Sequence, residues 1–160
     1  MRATINDSET LAVRRHLVRM RFTWAFFLAT IPVAALACTN LPRLDPAAAT
    51  PTAVTLVGLG ASMWISFTAE RDSRVRLDRG KRAFAVDGDL DRLLRNHWLV
   101  FMTVLFRLEI LVVMGIVTAV WGLGPRVAVW FVLLAGLMML LTWPSEHKTR
   151  LLIYRAKESD

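Results

Sequence analysis

Cysteine is almost absent from this chain. Cys38 is the only one in 160 residues, so no intrachain disulfide can form and no cysteine-based metal site is indicated. Eight glycines and six prolines are too few for a collagen-like or low-complexity chain. Acidic residues are scarce as well. There are 13 against 20 Lys plus Arg, for a net charge of +7. No Ser/His/Asp or Cys/His set falls at a common depth, which argues against an enzyme. Asp87, Asp89 and Asp91 alternate like the opening of a calcium loop, but Arg92 stands where glycine is needed and Trp98 where glutamate is needed. Gly80-Lys81-Arg82 lacks the earlier glycine and following hydroxyl of a phosphate loop.

Apolar residues, by contrast, are abundant and gathered. They make up 55% of the chain, with a mean hydropathy of +0.44. They form four blocks, at about 22–40, 51–68, 98–121 and 127–143. Each is about as long as the helix needed to cross a bilayer core, and only a helix satisfies its own backbone there. The expected fold is an all-α integral membrane four-helix bundle, a single membrane domain over 1–160 made of two tandem helical hairpins. Residues 70–97 then form a loop and 145–160 a tail. Asn6, Asp7 and Ser8 offer helix caps, and Asp87-Gly88-Asp89 reads as a turn into a helix that continues as the third span. Ser145 reads as the cap of a short basic helix on the membrane surface.

The basic residues decide orientation. Seventeen of them lie before the first span, between the second and third, or after the fourth, against Arg43 and Arg126 on the other side. By the positive-inside rule both termini and the central stretch are cytoplasmic. The charge is thereby explained by topology and anionic lipid headgroups rather than nucleic acid. An excess of arginine over lysine, 17 to 3, points to a GC-rich bacterial genome, and the expected location is a bacterial inner membrane. Ala35-Leu36-Ala37 has the form of a signal-peptidase site, but the long basic leader favours an uncleaved helix.

Six tryptophans are expected as interface anchors: Trp24, Trp64, Trp98 and Trp143 near one face, Trp121 and Trp130 near the other. Small residues at helical spacing mark packing faces, with Gly58 and Ser62 on the second span, Ala25 and Ala29 on the first, and Gly115 and Gly136 on the others. Pro32 is expected to kink the first span. There is also a weak internal echo. Phe67-Thr68-Ala69-Glu70 parallels Trp143-Pro144-Ser145-Glu146, and His16-Leu17-Val18 parallels His97-Trp98-Leu99.

Chemistry points to Arg107 and Glu109. Counted from Trp98, they lie about 13 and 16 Å into the third span, where ionisable groups are costly. They are about 200° apart around the helix and cannot easily pair with each other. Thr103 shares the Arg107 face. Their partners must be hydroxyls such as Ser62, Ser66 or Thr30, backbone carbonyls, or another subunit. His16, His97 and His147 lie at the cytoplasmic edge and are expected to face headgroups. No cofactor and no metal are expected. The resulting functional expectation is a small non-catalytic subunit or scaffold packed against other membrane protein subunits, as in respiratory or photosynthetic complexes. The alternative is a small oligomeric channel or transporter using Arg107 and Glu109.

Overall fold

The computed structural model describes residues 7–40, 51–120 and 125–158; before position 71, the side chains of the second helix are described at 56, 58, 60, 64 and 68 only. All the described regular structure is helical: α1 (Asp7–Asn40), α2 (Pro51–Asp87), α3 (Leu90–Val120), α4 (Pro125–Leu141) and α5 (Glu146–Lys157). Two helices are long and apolar enough to cross a membrane, Ser8–Asn40 and Leu90–Val120. Arg126–Leu141 and Glu146–Lys157 together make a third candidate, bent by 59°. The chain is a membrane protein on this ground. The span expected over 51–68 lies on helical backbone, but most of its side chains fall outside the described residues.

The stretch 70–97 is not a loop. α2 continues through its arginines to Asp87, because Arg, Leu, Ala and Lys are good helix formers and no proline intervenes. Gly88 then takes φ +65°, and its N–H donates to the Phe84 carbonyl at 2.8 Å, the glycine-terminated helix end that only a residue without Cβ adopts cheaply. Asp89 caps α3 at once, its Oδ1 accepting from the Arg92 N–H at 3.0 Å. The expected turn is therefore the whole connection.

α4 ends where α2 would have continued. Pro144 cannot donate to a helix ladder, and Thr142 and Trp143 close the last turn onto the carbonyls of Met138, Met139 and Leu140. Ser145 follows in an extended conformation as N-cap of α5, without a side-chain cap bond. α5 packs back on α1 and α2. It buries Thr149, Leu152, Ile153 and Ala156 against the helices, and Lys157 Nζ meets Glu9 Oε1 at 3.0 Å.

α3 packs against α1, α2 and α4, while α1 also contacts α4 and α5. The core falls into three clusters along the helices. Val13, Leu17, Phe84, Leu93, Leu94, Ile153 and Ala156 form the one nearest the basic segments. Met20, Phe27, Phe101, Leu105 and Met139 form the next. Ala34, Cys38, Val112, Ala119, Ala128, Val132 and Ala135 form the last. Small residues dominate this last cluster, so backbones come close. A Cβ on Gly115 would stand 2.9 Å from the Ala128 carbonyl oxygen. Pro32 sits inside α1 without ending it.

Candidate functional site: the intramembrane carboxylate and its groove

Glu109 is reached across the α1/α3 contact by Thr30, whose Oγ1 lies 2.7 Å from Glu109 Oε1. The same hydroxyl lies 2.6 Å from the Phe27 carbonyl oxygen. A threonine in a helix often bonds back to the preceding turn, which is what turns Thr30 toward this seam. Phe27 and Phe106 pack edge to face at 5.2 Å just below. Glu109 also lines an open groove of about 510 Å³ with Phe22, Phe26, Phe27, Phe106 and Val113 among its walls. Of the hydroxyls expected as partners, Thr30 is the one the fold brings to Glu109; the side chains of Ser62 and Ser66 lie outside the described residues.

Arg107 points the other way. Its Nη2 donates to Ser73 Oγ of α2 at 3.3 Å, and Ser73 is buried. Sequence reasoning missed Ser73 because it treated this part of the chain as a loop. With the turn at Gly88, α2 runs back along α3, so its charged half stands beside residues 92–107. Thr103 donates to its own helix, to the Leu99 carbonyl at 2.8 Å. Among the described residues, Arg107 thus faces α2 and Glu109 faces α1.

His16 and His97 do not face headgroups. They meet between α1 and α3, with His16 Nε2 3.2 Å from His97 Nδ1 and ring centroids 5.3 Å apart. One ring donates and the other accepts. They lie at the level of Arg15 and Arg19, outside the apolar stretches. Burial pushes both imidazoles down to about 4, and in His16 the His97 ring and Arg19 add to the effect. The signal in the sequence was that each precedes an apolar block, in the parallel pair His16-Leu17-Val18 and His97-Trp98-Leu99. His147 is exposed. No group of three or more His, Cys, Asp or Glu gathers to hold a metal among the described residues.

The tryptophans divide. Trp24 donates from Nε1 to the Met139 carbonyl at 2.7 Å and meets Trp143 edge to face at 4.7 Å. The Arg19 guanidinium stacks 3.9 Å from the centre of the Trp98 ring, and Arg21 lies 5.5 Å from that of Trp143. Trp64 and Trp130 are exposed, and Trp121 lies outside the described residues. Gly58 is buried at a helix contact: a Cβ there would collide with the Met114 methyl of α3. Ala25 and Ala29 are exposed and mark no contact inside the chain among the described residues. The buried stripe of α1 runs through Val13, His16, Leu17, Met20, Phe27, Ala34 and Cys38, and both alanines lie on the exposed side with Phe22, Phe26 and Val33. No family model, no curated protein and no solved structure matches the chain.

Proposed function

We propose that this chain is a small non-catalytic subunit or scaffold of a larger membrane complex, docked through the groove between α1 and α3. One observation carries the reading. Glu109 opens into a groove whose rims, Phe22, Phe26 and Phe106, are exposed. Lipid chains satisfy phenylalanine but offer nothing to a carboxyl group. A partner helix bearing a basic or other donor side chain satisfies both. Arg107, tied to Ser73, works inside the chain as a clamp between α2 and α3.

In this reading the chain forms a four-span bundle of two tandem hairpins in a bacterial inner membrane, with both termini cytoplasmic and the basic segments against anionic headgroups. The exposed apolar side chains of α1 and α4 face lipid or partner subunits. No catalytic role and no cofactor are assigned. The alternative, a small oligomeric channel or transporter, needs Arg107 and Glu109 on one pathway. Their turn toward different helices supports the subunit reading instead.

The test is assembly after mild detergent extraction. A stoichiometric hetero-complex should be recovered with the wild type and with Glu109→Gln, and should dissociate with Glu109→Leu. A symmetric homo-oligomer that carries flux in reconstituted vesicles would replace this reading with the channel.

A further inference from the structure

The α2/α3 hairpin carries a feature that the docking groove does not use. Arg76 and Arg79 of α2 and Arg92 and Asn96 of α3 line one pocket of about 390 Å³, together with Leu99. Two helices contribute to it because the Gly88 turn folds them back on each other and because Gly80 lets them close. A Cβ at Gly80 would stand 2.9 Å from Asn96 Nδ2, so glycine is what allows Asn96 to lie against the α2 backbone.

The pocket is poorly neutralised. Among the described residues, Arg76 and Arg79 form no ion pair, and Arg92 reaches Asp87 only at 3.4 Å, with both side chains more than half exposed. Asp78 is engaged by Lys81. Three guanidinium groups facing one shared space repel one another unless an anion joins them. Their planar forks match the oxygens of a phosphate group, each able to give two parallel N–H bonds. Leu99 is exposed and follows Trp98, where the apolar stretch of α3 begins. The pocket therefore joins an anion-binding face to an apolar one at the edge of the span.

We propose that this pocket binds the phosphate headgroup of one anionic phospholipid, with the acyl chains running along the Leu99 side. Free phosphate shares the recognition chemistry; the apolar wall is what selects the lipid. This is a discrete site, distinct from the general attraction of basic segments to a charged membrane.

The experiment is native mass spectrometry of the detergent-solubilised protein titrated with phosphatidylglycerol or phosphatidylcholine. One phosphatidylglycerol per chain should be retained, and phosphatidylcholine should not. The triple variant Arg76→Gln/Arg79→Gln/Arg92→Gln should weaken retention about tenfold or more. A control of equal charge loss, Arg14→Gln/Arg15→Gln/Arg155→Gln, should leave it intact. Arg79→Lys keeps the charge but loses the fork and should weaken retention several-fold, which keeps the test valid if the triple variant fails to fold. Equal loss in the control, or wild-type retention in Arg79→Lys and the triple variant, would overturn the site. Displacement of the lipid by millimolar inorganic phosphate would overturn the lipid as its occupant.

Discussion

Thr30 has one hydroxyl proton, and two acceptors lie within reach of it, Phe27 O and Glu109 Oε1. Thr30 Oγ1 therefore shares its proton between the Glu109 carboxylate and the Phe27 carbonyl. A glutamine at this position keeps the side-chain oxygen that accepts from Thr30. Glu109→Gln is accordingly expected to keep the α1/α3 seam, with an unchanged melting temperature in detergent. Glu109→Leu removes the bond and should lower stability by about 1 kcal/mol, the usual worth of one intramolecular hydrogen bond. Thermal unfolding monitored by circular dichroism separates the two, and equal melting of both variants would remove the seam as a structural contact. The histidine pair gives a second expectation at this scale. A buried imidazole held near 4 against an ordinary 6.5 binds fewer protons folded than unfolded. Stability is therefore complete above about 6.5 and is lost as the pH falls from there toward 4. The melting temperature should drop between pH 7 and pH 4.5, and less so in His16→Gln, which keeps a hydrogen-bonding group but does not titrate. An equal drop in both would mean other groups set the acid sensitivity.

At the scale of the element, α2 and α4 echo each other near the end of their apolar stretches and then part. Thr68-Ala69 in one stands where Pro144-Ser145 stands in the other. The first helix passes straight through to Asp87 and the second breaks by 59° into α5. One proline decides this, since its missing N–H and its ring both oppose a continuous ladder. Close packing along α2 is set by Gly58 and its neighbour Met114. Met114 is flexible at its end, so Gly58→Ala should be absorbed by a side-chain shift. Gly58→Leu should destabilise the protein by about 1 to 3 kcal/mol, the usual cost of overpacking. Denaturation in mixed detergent checks it, and a neutral leucine would take this stretch of α2 off α3.

For the whole molecule, the three apolar clusters give a single stack from the Val13 level to the Cys38 level. α5 and the N-terminal part of α1 close one end through Lys157 and Glu9. Charge alone gives the expected orientation of this stack, and the structure supplies a reporter for it. Asp78 is exposed on α2, outside the apolar stretches. In a Cys38→Ala background, Asp78→Cys should resist an impermeant thiol reagent in intact cells and react after permeabilisation. Ready labelling of intact cells would invert the topology.

Composition and spacing were enough to read helices, a membrane and the turn at Asp87-Gly88-Asp89. These depend on short-range terms: the length of apolar runs, the conformational freedom of glycine, and the charge beside each run. They were enough also to single out Glu109 and to name Thr30 among its candidate partners, because few hydroxyls lie in the first block. They did not carry the pairing of Arg107 with Ser73, of His16 with His97, or of Arg76 and Arg79 with Arg92. Each joins residues 13 to 81 positions apart and depends on how one helix is set against another along and around its axis. Nor could alanine spacing identify the buried stripe of α1, which runs through Met20, Phe27 and Ala34 and depends on how α1 is rotated against α3 and α4. The run from Glu70 to Asp87 shows the division most clearly. Its charges mark it as extramembrane flank, yet they leave open whether it loops or continues as helix. Its helix formers and lack of proline let it continue as helix, and packing against α3 and α5 carries its arginines back to the edge of the span.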